Sequence, residues 1–345
     1  MKKVIATLLI VGVLAAGMIG CAQHDSETAV AGRTEGKASV KLIAAHVQSV
    51  PDAAFTVSMH KFADRVKELS GGEIEVEVHD GTLGTQETEL IDKLVMGAVD
   101  VTVASPGFMA KMGVPEVDMF SLPYLIESNE HFQNVFGGDI GEDFADVVYE
   151  KTNEDFKVMG FWSAGIRNYY GKKPINSPAD LKGVKIRTQN APVQLEFWEK
   201  CGSIPTTVAF AEMYQALQQG VIDAAENDYL SIQQNEHHKT QNGKFLSETR
   251  HDISPRLFLI KGEVWKKLTD EQKTWVEQAA QEATEFNIQY NIDKAEESKK
   301  KMIEDGAVIN EVDTEPFVEI AVDIQDEFAK KNGFEDWISR IRAER

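Results

Sequence analysis

Between residues 40 and 104 the chain alternates short apolar runs with amphipathic stretches, and this alternation narrows its fold more than any other feature. Residues 40–45 (VKLIAA) read as a strand. Phe55, Met59, Phe62, Val66 and Leu69 then recur every three or four positions, so residues 52–70 form a helix with one apolar face. Ser70-Gly71-Gly72 stops it. Ile74, Val76 and Val78 alternate with Glu73, Glu75 and Glu77, the period of a half-buried strand. A glycine-containing loop over residues 80–84 leads to a helix faced by Leu90, Ile91, Leu94 and Val95, which Gly97 ends. Residues 99–104 (VDVTVA) are a third strand. Strand, helix, strand, helix, strand predicts a parallel sheet with right-handed crossovers. The loops after the three strands hold His46 and Gln48, residues 81–87, and Ser105. All three open onto one sheet edge, where ligands bind in such folds.

The pattern repeats downstream. Residues 156–162 are a strand, and residues 166–170 continue it or pair with it. A short helix over residues 178–181 precedes a strand at 184–187 (VKIR), and Pro192 starts a helix through Leu195 and Trp198. A strand at 204–208, a helix at 210–219 stopped by Gly220, and a strand at 221–226 complete this unit. Two α/β units of similar size, facing each other, form a cleft. Thr269-Asp270-Glu271-Gln272 has the form of a capping box, and little breaks a helix from there to Glu304. Such a helix is about 50 Å long, enough to cross both units; two helices bent near residues 287–291 are the alternative. A strand at 307–312 and a helix faced by Phe317, Ile320, Ile324 and Phe328 close the chain.

Two strand ends stand out. Arg187 closes VKIR and Asn227 closes VIDAAEN, so a parallel sheet puts both on the ligand-binding edge. A lone arginine there points to an anion held by a two-pronged guanidinium–carboxylate pair; a surface arginine is the plainer reading. The Asn227 amide can donate to and accept from a hydroxylated ligand, or cap a helix. Cys201, between Trp198 and Gly202, reads as a small buried side chain. His237 and His238 in NEHHK read as a solvated helix face, and adjacent helical residues make poor co-ligands for one metal.

At the N-terminus, Lys2 and Lys3 precede an apolar run over residues 4–19 and a small residue, Gly20. We read residues 1–20 as a signal peptide, since a spanning helix needs about twenty apolar residues. MIGC at 18–21 resembles a bacterial lipobox, which makes Cys21 the lipidated mature N-terminus and polar residues 21–37 a flexible tether. Only Cys201 then remains, so no intramolecular disulfide forms. A net charge of −20 argues against nucleic acid and acidic membrane surfaces as partners. It leaves room for a small anion, because a desolvated arginine outweighs charges screened over about 8–10 Å. The chain has no GxSxG, GxxxxGK[ST], HExxH or metal-spaced cysteines. A binding protein is expected, with no enzymatic activity, no cofactor and no metal.

Five segments carry a resemblance to a known family: HKFADRVKELSGGEIEVEV (60–78), LGTQETELIDKLVMGAVDVTVAS (83–105), FSLPYL (120–125), KPINSPADLKGVKIR (173–187) and residues 205–228 with ALQQGVID. In order and spacing the chain resembles the solute-binding proteins of tripartite ATP-independent periplasmic (TRAP) transporters, the DctP family. The resemblance implies a two-domain α/β fold like that of class II periplasmic binding proteins, with crossing strands and a long interdomain helix. Residues 38–164 with 253–291 would form one domain, and 165–252 with 292–345 the other. It implies closure over a ligand and docking on a membrane permease. Arg187 holds the position of the family's carboxylate-binding arginine, Arg167 in GIRNYYG that of a second arginine, Asn227 that of an asparagine, and Glu87 in LGTQE that of a glutamate. The family's common QEN is AEN here, with Asp228 where proline is often found. For the N-terminal ligand contact His46 is the first candidate, with Gln48 next. Asn190 is a further candidate, against a local cap before Pro192. For Arg167 the alternative is a hinge ion pair with an acid, and for Glu87 a favourable charge in a first helical turn. Glu87, Asn190, Asn227 and His46 together suggest several hydroxyls, so a sugar acid, uronates first, is expected over a C4-dicarboxylate. The protein would be periplasmic and lipid-anchored; a carboxylate receptor feeding a signalling partner is the alternative.

Overall fold

The computed structural model describes residues 38–189, 191–253 and 255–345. The signal segment, the tether with Cys21, and Asn190 lie outside the described residues.

The first unit is built as the alternation requires. Strands β1 (Val40–His46), β2 (Ile74–Asp80) and β3 (Val101–Ala104) are parallel, with β1 between the other two. Strand β4 (Phe156–Ser163) lies farther along the same sheet. The helices Ala54–Leu69 and Glu87–Met96 connect β1 to β2 and β2 to β3. Leu42 and Ala44 of β1 pack with Phe55, Met59, Phe62 and Val66 of the first helix in one buried cluster, so the apolar face read from the sequence is the face that is buried.

The second sheet begins with the run at 166–170. It neither continues nor pairs with β4: it is strand β5 (Arg167–Gly171), and the chain passes between sheets through residues 164–166. Strands β6 (Lys185–Thr188), β7 (Ile204–Thr207) and β8 (Ala224–Asn227) are mutually parallel. Strand β9 (Phe245–Asp252) pairs antiparallel with β5. The chain then returns to the first sheet as β10 (Pro255–Lys261), antiparallel to both β3 and β4, so that sheet is mixed rather than parallel. Strand β11 (Val308–Glu311) is the outer neighbour of β9. The strand orders are β2-β1-β3-β10-β4 and β11-β9-β5-β8-β6-β7.

One continuous helix, Asp270–Glu304, spans the two sheets. Its capping box forms as written: Gln272 N donates to Thr269 Oγ1 (3.2 Å), and Thr269 N donates to Gln272 Oε1 (3.0 Å). Early in the helix Glu282 pairs with Arg65 (2.7 Å); near its end Lys299 pairs with Glu248 (2.7 Å). Asn287 and Asn291, where a bend was the alternative, instead pin the end of β4. Ser163 N donates to Asn287 Oδ1 (2.8 Å), and Asn291 Nδ2 donates to Ser163 O (3.0 Å). The expected C-terminal helix is Glu315–Asn332, followed by a further helix Glu335–Ala343. The last of these meets helices of the first unit, with Arg340 on Asp143 (2.6 Å) and His131 Nε2 on Ile341 O (2.7 Å).

One reading of the histidines is corrected. His237 and His238 are not on a solvated helix face: they sit in a short turn and are buried, His237 stacked on Tyr170 and His238 facing Asp305 at 3.1 Å.

Candidate functional site

Between the sheets lies a cavity of about 410 Å³, a volume suited to a small ligand. Its polar wall is made by residues at strand ends: Gln48 after β1, Ser105 after β3, Arg187 on β6, Thr207 on β7, and Asn227 with Asp228 at β8. Phe55, Phe108 and Phe210 supply apolar surface. The edge read from the strand order is therefore the edge that lines the cavity.

Arg187 is buried, at 7% exposure. Its Nε donates to Val208 O (3.0 Å), and no carboxylate among the described residues lies within ion-pair distance. Burial lowers its pKa, but a guanidinium stays charged at any physiological pH. An uncompensated cation facing a cavity is costly unless an anion arrives. Among its neighbours, the Tyr170 hydroxyl meets His237 Nδ1 at 2.9 Å. Burial, with the Arg187 charge, holds His237 at about 3, so this imidazole is neutral at pH 7.

Arg167 also lines the cavity, but it is already paired. Its Nε donates to Glu226 Oε2, Nη1 to Asn227 Oδ1 (2.7 Å) and Nη2 to Glu226 O (2.9 Å). Three of its five N–H donors are thus committed. Burial penalises the Glu226 charge, yet Arg167 and His251 hold this carboxyl at about 2. The pair ties the start of β5 to the end of β8, where the chain enters the second sheet.

Asn227 is 3% exposed, and its Oδ1 accepts from Arg167 and from Asp228 N (3.0 Å), which leaves the amide Nδ2 as a donor. Glu87 opens the helix Glu87–Met96 and accepts from Ser105 N (2.8 Å) through Oε2. Both line the cavity.

His46 does not. It shares the parity of Leu42 and Ala44 on β1, so the pleat turns it toward the helix Ala54–Leu69. There Nε2 lies 3.0 Å from Asp80 Oδ1, at ion-pair distance but outside hydrogen-bond geometry. Burial lowers its pKa to about 4 against the pull of Asp80. Gln48, the next candidate, lines the cavity, and its Oε1 accepts from Phe55 N (2.8 Å).

Sequence reading missed Arg256, Gln189 and Asn291 on the cavity wall. Arg256 Nη2 donates to Gln189 Oε1 (3.1 Å). A single arginine inside the apolar strand PRLFLIK was a signal of the same kind as Arg187. Asn291, a buried asparagine inside a long helix, was another. Among the described residues no cluster of His, Cys, Asp and Glu suits a metal ion.

Residues 44–332 match the family described as bacterial extracellular solute-binding protein, family 7 (DctP). A solute-binding protein of Roseobacter denitrificans is 31% identical over 270 residues, 78% of this chain and 81% of that protein. Among solved structures, a TRAP periplasmic solute-binding protein from Roseobacter denitrificans with bound β-D-glucuronate superposes with a TM-score of 0.82 and 30% identity, covering 88% of this chain and 99% of the other. Another, from Sulfitobacter sp. NAS-14.1 with bound β-D-galacturonate, has a TM-score of 0.79 and 28% identity, covering 87% and 97%.

Proposed function

The chain belongs to the bacterial extracellular solute-binding proteins of family 7, and from that premise we propose that its cavity captures a sugar acid, uronates first, for a TRAP permease. The family binds solutes for transport and is not enzymatic, and its designation puts this chain outside the cytoplasm. The observation that carries the ligand reading is Arg187: a buried guanidinium beside a cavity, with Nε fixed by Val208 O and no carboxylate paired to it among the described residues. Its two terminal nitrogens match a ligand carboxylate as a fork. Asn227 and Glu87 keep a donor and an acceptor for hydroxyls, and Gln48 takes the place first given to His46. Arg167 acts through its pair with Glu226, holding Asn227 in place. The glucuronate and galacturonate of the two structural neighbours support the sugar-acid choice.

Two lobes, one per sheet, would close on the ligand through contacts made only in the closed state. The lipid on Cys21 would keep the receptor at the membrane. A thermal-shift panel of uronates, aldonates, dicarboxylates and keto acids tests the ligand. Stabilisation by uronates is expected; a shift with succinate or malate alone would reject the sugar acid.

A further inference from the structure

We propose that Asp228 sets the ligand class of this cavity: it accepts a hydroxyl hydrogen bond from an acid bearing a single carboxylate and excludes a second carboxylate at its end. The inference rests on the sugar-acid reading above and names the residue that separates monoacids from diacids.

Asp228 follows β8 directly, lines the cavity and is 5% exposed. Its Oδ1 accepts from Ser231 N (2.9 Å), which caps the helix Tyr229–Gln234. Among the described residues only Ser231 hydrogen-bonds the carboxylate, so acceptor positions stay open. The chain makes room for it: Gly165 has φ +76°, and a Cβ there would approach Asp228 Cβ to 2.7 Å. The strand β8 lies beside β6, with Ala225 opposite Arg187. Asp228 is three residues farther on, about 10 Å along the strand.

Charge decides what fits at each end. Arg167 is matched by Glu226, and Arg256 donates to Gln189 and lies in the field of the Glu87 and Asp252 carboxylates. Arg187 meets one ligand carboxylate. A second carboxylate would enter beside Asp228 and add like charge to a buried site, which is strongly unfavourable. A hydroxyl instead gives Asp228 a donor. Burial raises the Asp228 pKa, and such a donor replaces part of the water it has lost.

The test is calorimetric titration of the wild-type chain and Asp228→Asn with D-galacturonate and D-glucuronate, and with the diacids of the same sugars, galactarate and glucarate. Asparagine keeps an oxygen to cap the helix; Asp228→Ser is the second capping variant, and circular dichroism checks the fold of both. The wild type is expected to bind the uronates at least tenfold tighter than the diacids, and both variants to narrow that ratio at least tenfold. Equal wild-type affinity for uronates and diacids overturns the assignment. Uronate binding with an unchanged ratio in the folded variants removes the role of Asp228 and leaves the sugar-acid function standing. A wild type that ignores every sugar acid yet binds another carboxylate through Arg187 removes both.

Discussion

Arg187→Lys separates ligand capture from folding. The side chain is 7% exposed and, among the described residues, makes one hydrogen bond to the protein, from Nε to Val208 O. Its remaining nitrogens offer two charge-assisted bonds to a carboxylate, each contributing about 1.5–3 kcal/mol. An ammonium can reproduce one of them but not the fork. Losing one bond weakens binding roughly 10- to 150-fold. Burial adds to the loss, because it already lowers the pKa of the arginine and lysine starts about two units closer to neutrality. The ligand-free fold should survive, since one exchangeable hydrogen bond is worth about 1 kcal/mol, a melting shift of about 2–4 °C at most. Galacturonate titration calorimetry read beside the ligand-free melting curve makes the measurement. Affinity within threefold of wild type would remove Arg187 from the site, and collapse of the ligand-free protein would make it a structural residue instead.

The other expectations concern stability and anchoring. Glu226→Gln leaves Arg167 buried without its partner and should cost about 3–5 kcal/mol in urea denaturation; an unchanged midpoint would show that the pair does not hold the β5–β8 junction. Because Glu226 is held at about 2 from 4.5, its contribution is present above pH 4.5 and is lost as pH falls toward 2, a stretch of the profile the glutamine variant should flatten. His46 is held near 4 from 6.5 by burial, opposite Asp80 and beside His60, so the unfolded chain takes its proton first. Its contribution is therefore full above pH 6.5 and shrinks as pH falls toward 4, by up to about 3 kcal/mol; His46→Asn should reduce the slope, with buried His237 supplying the remainder, and a slope unchanged in the variant would contradict it. Cys21→Ser should yield a soluble, binding-competent protein on cell fractionation, whereas retention in the membrane fraction would end the lipobox reading.

Elements whose periodicity and burial agree were legible in the sequence. The helix Ala54–Leu69 and strand β2 carry the 3.6- and 2-residue patterns that their packing then uses, and β1 and β3 are short apolar runs that are mostly buried. The long helix was legible from its capping box and its lack of breakers. Strand β9 was not, because FLSETRHD has no apolar alternation. Its Ser247, Thr249, His251 and Asp252 are buried among polar partners: Thr249 Oγ1 meets Tyr169 N (3.1 Å) and His251 Nδ1 (2.9 Å), and His251 Nε2 lies 3.5 Å from Glu226 Oε2. A strand stabilised by a polar network leaves no hydrophobic trace. The same blindness turned His237 and His238 outward: in a sequence, a histidine satisfied by a tyrosine hydroxyl looks like one satisfied by water.

For the site, strand ends located the edge but not the pairing of charges along it. Arg187 reads as a lone arginine closing a β-run, and Arg167 as a second ligand arginine or a hinge ion pair with an acid; the structure has the ion pair, with Glu226. They differ because β5 is antiparallel to β8 with Asn168 opposite Asn227, which brings Glu226 against Arg167. Arg187, opposite Ala225 on the other flank of β8, meets no such acid among the described residues. The register of one strand thus divides the two cations, one paired at the junction between sheets and one without a carboxylate partner among the described residues. Register follows from long-range pairing, so no local spacing could have announced it. By the same argument Asp228, which looked like an isolated departure from a family pattern, gains meaning only beside the arginine left unmatched.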